Sequence, residues 1–181
     1  MKETVLAAAL ALSLVSPAVL AAETADVVVV GAGAAGLSAS IGAAARGAKV
    51  ILLEKTGDAG GNTAFASLGL NAAATPDQAA ARIMGDSATL FAADTIRYGH
   101  QFNDAALVRA MTVTSAPALA WLETLGAKLC LRITPVGSEA RPRLMAPCDG
   151  TAVGPLLIQV LKAKALQSQV DLRTQARATK L

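Results

Sequence analysis

With 181 residues, 54 % of them apolar and only 3 % aromatic, the chain has room for one modest domain whose core is built mainly from Ala, Val and Leu. Its net charge of +3 comes from dispersed Lys and Arg, with no basic run and no interleaved aromatic platform, so the electrostatic footprint of a nucleic-acid binder is missing. An anionic small molecule suits this balance, with a plainly solvated surface as the alternative.

Residues 1–22 read as a secretory signal. An apolar run from Val5 to Val15 ends at Ser16-Pro17, and small residues precede a cut near Ala21 or Ala22. A single membrane anchor is the competing reading, but Pro17 and the serines shorten the clean apolar run below the ~20 residues a span requires. Cleavage leaves residues 23–181 in the periplasm or outside the cell, with no stable membrane span.

The stretch 26–54 comes next and organises the rest. A buried strand is expected at Val27–Val30, then a glycine turn at Gly31, Gly33 and Gly36. A small-residue helix follows over roughly 35–46, with Gly47 as its stop, and a second apolar strand at Val50–Leu53 leads to Glu54. Gly31 permits the tight turn, Gly33 lets backbone approach a pyrophosphate, and Gly36 lets helix pack on strand. The helix N-terminus offers unpaired N–H groups and the positive end of a dipole. Glu54, at the tip of the second strand, is placed to accept hydrogen bonds from an adenosine ribose. The ligand class is therefore a dinucleotide, FAD or NAD, on a Rossmann-like α/β βαβ unit.

Residues 60–63, Gly-Gly-Asn-Thr, form a second glycine turn directly after that acid. Its N–H groups, with the Asn62 and Thr63 side chains, can meet a pyrophosphate from the other side. A simple NAD fold would continue into a helix and a third strand, so the extended Gly/Asn/Ala stretch here favours FAD.

Residues 75–98 are expected to be helical from the Thr75-Pro76 start signal. Asn103 or Asp104 caps a helix carrying Leu107, Val108 and Met111, and a second helix carries Leu119, Leu122 and Leu125 before Gly126. His100, the one histidine in the sequence, sits beside Gly99 with no paired titratable group and reads as a surface or helix-entry residue rather than a catalyst. Cys130 and Cys148 are close enough in sequence to bridge, and two free thiols are the alternative. There is no C-x-x-C-H for a c-type haem, and two cysteines alone cannot hold zinc or an iron–sulfur cluster. Arg141 and Arg143 stand in a Pro-rich loop and suit bidentate carboxylate binding, or are two surface arginines. A helix over about 156–166 opens at Gly154-Pro155. Val170–Arg173 reads as a short strand, with the start of another around Ala176.

The residues 27–36, 48–55, 60–63 and 69–71, with the run 99–127, resemble the flavoprotein subunit of the fumarate reductase and succinate dehydrogenase family. The pattern is nearest to the soluble periplasmic flavocytochrome c fumarate reductases, and is similar also to urocanate reductases and 3-ketosteroid dehydrogenases. Leu68 departs from it, standing where the family usually has the first of two glycines. Ala140 departs too, at a position where relatives often have His before an Arg-Pro pair. The resemblance implies a Rossmann-like FAD-binding domain that is incomplete at the C-terminus. It implies FAD contacts from Gly31, Gly33, Ala35, Gly36, Glu54, Lys55, Gly61, Asn62, Thr63 and Gly69, with the backbone near Ala178 meeting the adenine. It further implies a small dicarboxylate or enoate substrate, and it admits a separate electron-donor cytochrome as partner.

Family enzymes pass a hydride from flavin N5 to one carbon of an enoate while an arginine protonates the other. In the family that arginine lies beyond residue 181, so no catalytic residue is assigned, and Arg141 and Arg143 are candidate carboxylate contacts only. Three readings follow: an exported FAD-dependent oxidoreductase represented by its N-terminal part, a non-catalytic module that holds FAD or a partner, and an NAD-dependent dehydrogenase sharing only the first motif. The second glycine turn speaks against the last.

Overall fold

A computed structural model describes residues 23–133 and 141–180. The signal reading over 1–22 and the departure at Ala140 lie outside the described residues. In chain order the elements are β1 (Val27–Val30), α1 (Ala34–Ala44), β2 (Val50–Leu53), a 3₁₀ turn (Gly61–Phe65), β3 (Leu70–Asn71), α2 (Pro76–Ala80), α3 (Ala88–Tyr98), α4 (Ala105–Thr124), β4 (Leu129–Leu131), β5 (Leu144–Pro147), α5 (Val153–Gln167) and β6 (Asp171–Arg173).

Two three-stranded sheets share one core. β1, β2 and β6 form a parallel sheet with β2 in the centre, Val27 opposite Val50 and Leu52 opposite Leu172. This is the strand arrangement of a βαβ nucleotide-binding half, in which β2 is apolar along its length because both faces are covered. The second sheet is antiparallel, ordered β3–β5–β4. Leu37 and Ile41 of α1, Val50 and Leu52 of β2, Leu119 of α4, Met145 of β5 and Leu161 of α5 meet in a contiguous apolar cluster. Short side chains let α1 and α5 pack closely against each other, α1 also on β1 and β2, and α5 on β5 and the 3₁₀ turn. The outer face of β1 carries Val28 and Val30, each more than half exposed.

Two expectations about helices are corrected. Residues 75–98 are not one helix. The Thr75 hydroxyl and the Gln78 side chain close a capping box around α2; Arg82 and Gly85 then turn through positive φ, and Ser87 caps α3 afresh. Conversely, the two helices expected over 104–126 are one. Asp104 accepts hydrogen bonds from Ala106 and Leu107 N–H, and the buried residues Val108, Thr112, Ser115, Leu119 and Leu122 recur at helical spacing along a single face through Pro117. By length and composition α4 could cross a membrane; here it packs against α3. No strand forms around Ala176. Instead, Gln175 N–H donates to the Thr56 carbonyl and Ala176 N–H to that of Glu54, extending the β2–β6 contact into the loops.

Cys130 and Cys148 form a disulfide, Cα to Cα 5.0 Å, that joins β4 to the segment following β5. Of the two sequence alternatives the bridge is realised. His100 follows Gly99, the C-cap of α3, at positive φ and is exposed, as a helix-boundary residue would be.

Candidate functional site

The site grows from the turn between β1 and α1. Gly31 has φ of +95°, a backbone that favours glycine, and it leads the chain off the strand into the helix. A Cβ on Gly36 would overlap the carbonyl oxygen of Gly31, so the helix reaches its place on the turn only because residue 36 has no side chain. Gly33 occupies the N-cap of α1 and has no side chain to cap with. The first-turn N–H groups of a helix lack intrahelical partners, so they are left to other acceptors.

The second glycine turn supplies one of those acceptors. Thr63 Oγ1 accepts from Ala34 N–H at 3.2 Å, and Gly60 N–H donates to the Ala32 carbonyl at 2.9 Å. The two glycine turns, 29 residues apart in sequence at Ala34 and Thr63, thus lie one upon the other at the helix terminus. Gly61 and Asn62 are exposed there. Gly69 has a different use: a Cβ on it would overlap the Met145 carbonyl oxygen, so its small size serves the contact of β3 with β5. Leu68, beside it, is 62 % exposed.

Glu54 ends β2 and is 6 % exposed. Its Oε2 accepts from Ala32 N–H at 2.9 Å; its Oε1 accepts from the N–H and the hydroxyl of Thr56, each at 2.9 Å. The Thr56 N–H, then the Ala32 N–H, hold its carboxyl below the ordinary range, against the burial that pushes it up. Glu54 is therefore an ionised acceptor tied to the glycine turn. Next to it, Val30, Lys55, Arg177, Ala178 and Thr179 line an open cavity of about 490 Å³. Lys55 and Ala178 were expected at a nucleotide; Val30, Arg177 and Thr179 were not, because they approach only when the chain after β6 folds back beside β1. A cradle that side chains would fill, a helix terminus whose N-cap is glycine, an ionised acceptor and an adjoining cation-lined cavity fit an anionic dinucleotide.

The two arginines part company. Arg143 is wholly buried. Its Nε and Nη2 reach the two carboxylate oxygens of Asp86 at 2.8 and 2.6 Å, its Nη1 reaches Asp94 at 2.9 Å, and its guanidinium lies over the Phe91 ring. Gln78 completes the network by donating to Asp86 and to the Pro142 carbonyl. Burial raises the Asp86 pKa, but the Arg143 and Gln78 hydrogen bonds outweigh it and leave the net shift downward. Arg143 is thus corrected from a candidate substrate contact to the centre of an internal carboxylate pair, because no exposed face remains to it. Arg141 keeps partial exposure, near Gly85. Among the described residues no group of three or more His, Cys, Asp or Glu could hold a metal ion.

Comparison with known proteins agrees with this geometry. A family described as FAD binding domain matches residues 26–181. The chain is 41 % identical over 155 residues to a fumarate reductase (cytochrome) of Shewanella frigidimarina, covering 86 % of this chain and 27 % of that relative. Its fold is similar to the open conformation of a flavocytochrome c3 fumarate reductase, with a TM-score of 0.82 at 38 % identity, over 88 % of this chain and 28 % of that one. It is also similar to a 3-ketosteroid-delta4-(5alpha)-dehydrogenase from Rhodococcus jostii RHA1, with a TM-score of 0.70 at 26 % identity, over 87 % and 39 % of the two chains. The chain spans about a quarter of the length of the curated relative described above.

Proposed function

The chain belongs to the FAD-binding domain family, and from that premise we propose that it is the cofactor-holding part of a fumarate reductase-like oxidoreductase that moves a hydride between flavin N5 and an unsaturated acid or related enoate or enone. The observation that carries this reading is the stacking of both glycine turns, with Glu54, on the N-terminus of α1. FAD, when bound, supplies the two-electron chemistry by taking up or giving up a hydride.

The chain's own residues bind and orient. Gly31, Gly33, Ala35 and Gly36 would bring the helix terminus to the pyrophosphate, with Gly61, Asn62 and Thr63 on its other side. Glu54 would accept from ribose hydroxyls, and Lys55 with the backbone near Ala178 would border the adenine. Gly69, beside β3, would lie toward the flavin end. Arg141 would offer its guanidinium to a substrate carboxylate, a dicarboxylate or enoate being the substrate class and a separate cytochrome a candidate electron donor. Residues 1–22 would direct export, leaving 23–181 as the FAD-binding domain in the periplasm or outside the cell. The Cys130–Cys148 bridge supports an oxidising compartment.

A second reading has one observation in its favour. Arg143 is engaged internally, so Arg141 is the one remaining candidate carboxylate contact, and the chain by itself would hold FAD without turning over substrate. Reconstitution with FAD tests both. We expect a bound-flavin spectrum, lost affinity in Glu54→Ala, and no reoxidation of the reduced flavin by fumarate. Unchanged affinity in Glu54→Ala removes Glu54 from the site, and rapid fumarate-dependent reoxidation overturns the second reading in favour of the first.

A further inference from the structure

We propose that Thr56 is the positioning residue of the ribose site, its hydroxyl and N–H fixing the Glu54 carboxylate against the glycine turn before a nucleotide arrives. The inference rests on the reading of Glu54 as the ribose acceptor. An ionised carboxylate has about four acceptor positions. Within the chain, two hydrogen bonds from Thr56 reach Oε1 and one from Ala32 N–H reaches Oε2, and the Lys55 N–H also draws on the carboxylate. With Oε1 held by two donors from one residue, the carboxylate is fixed in rotation as well as in place.

Thr56 can do this because its own backbone is fixed. Its carbonyl accepts from Gln175 N–H at 2.8 Å, while Glu54 N–H donates to the Arg173 carbonyl and the Glu54 carbonyl accepts from Ala176 N–H, both at 2.8 Å. Residues 54–56 are thereby laced to the chain following β6, the same segment that lines the nucleotide cavity. The hydroxyl also lies 2.9 Å from the Asp58 carbonyl. One proton cannot serve both acceptors at once, so the hydroxyl can turn to Asp58 and release an Oε1 position to a ribose hydroxyl without leaving its own proton unpaired. Thr56 therefore steadies the acceptor without blocking it.

The consequence is a pH dependence. Glu54 accepts from ribose as a carboxylate, so binding is present above its pKa and is lost as pH falls through it. The charged residues on its own loop are Lys55 and Asp58, and those on the segment packed against it are Arg177 and Arg173, the latter paired with Glu23 and Asp171; the glycine turn contributes none. Removing the hydroxyl should move the loss of binding to higher pH.

The experiment uses the full chain and Thr56→Val, Thr56→Ser and Glu54→Gln; the first two change an exposed residue and leave the core alone. The Glu54 carboxyl is titrated by NMR without nucleotide, and FAD affinity is measured from pH 4 to 8. Thr56→Val should raise the Glu54 titration midpoint and weaken FAD about 5-fold at neutral pH, as expected for one hydrogen bond; Thr56→Ser should restore both. An unmoved Glu54 midpoint in Thr56→Val overturns the proposal, as does tighter FAD binding, which would make the hydroxyl a competitor. If Glu54→Gln leaves FAD affinity unchanged, the ribose reading fails instead. If the chain takes up no FAD, that reading fails too, and the titration still decides whether Thr56 holds Glu54.

Discussion

Around the N-terminus of α1, contact is made largely by backbone, with Glu54 and the Thr63 hydroxyl as the side chains that enter: Gly36 against the Gly31 carbonyl, Gly154 against the backbone of Thr63 and Ala64, Gly60 N–H on the Ala32 carbonyl. In the half of the molecule built on β3, β5 and β4, contact is made by side chains and a covalent bond: Arg143 with Asp86 and Asp94, Gln78 with Asp86, and Cys130 with Cys148. The first half omits side chains so that polar backbone and one carboxylate stay within reach of a ligand. The second half consumes its polar groups internally. The difference teaches where a charge can be functional: Glu54 is held by neutral N–H and O–H donors, whereas Arg143 has its guanidinium closed between two aspartates.

The sharpest way to break that comparison is Arg143→Met. It leaves the buried Asp86 without its cation and Asp94 with only the exposed Arg97, and losing one partner of a buried ion pair costs about 3–5 kcal/mol. Urea unfolding should show a loss of that size, and adding Asp86→Asn with Asp94→Asn should return most of it. The cost comes from the orphaned carboxylates rather than from the missing arginine. Unchanged stability in the single variant would return Arg143 to the surface and reopen its role toward substrate.

The two halves also differ in how far sequence alone reveals them. The cradle is local: strand, glycines, helix, strand and acid follow one another, and each has a period or a turn that announces it. Sequence alone makes Thr63 a candidate donor to a pyrophosphate; its hydroxyl accepting from Ala34 N–H depends on two turns folding together. The Arg143 network has no such signature. Its partners lie 57 and 49 residues away, and an arginine in a Pro-rich loop looks the same whether it faces solvent or Asp86. α4 misled for a related reason: Thr112 and Ser115 interrupt the apolar stripe, and Pro117 suggests a break, although all three sit in one continuous helix. Thr56 carried no signal, since a hydroxyl two residues past an acid matters only once the segment following β6 fixes its backbone.

The disulfide is the next largest lever. A bridge across a sequence separation of 18 stabilises by about 3 kcal/mol in the chain-entropy account. Because it ties β4 to the segment after β5, reduction should lower thermal stability while leaving the β1–α1 turn assembled. Protein recovered after export should carry no free thiol and should lack residues 1–22. Free thiols together with a retained N-terminus would sink the export reading.

The smallest effect on stability tests the cradle's side of the comparison. Gly154→Ala places a Cβ against the Thr63 carbonyl oxygen and the Ala64 backbone, neither of which can swing aside as a side chain would. α5 must then back away from the 3₁₀ turn and strain the hydrogen bond from Gly154 N–H to the Ala66 carbonyl. Overpacking of this kind costs about 1–3 kcal/mol. Gly99→Ala is the matched control, because the nearest atoms its Cβ would meet belong to the Asn103 side chain, which can rotate away, so its cost should stay within about 0.5 kcal/mol. If backbone contact is what sets the pyrophosphate site, Gly154→Ala should also weaken FAD binding, by displacing Thr63 from Ala34. Disulfide reduction, though costlier to stability, should weaken it less. The opposite ranking would mean that the cradle is positioned from the side-chain half, and that the division between the two regions does not hold.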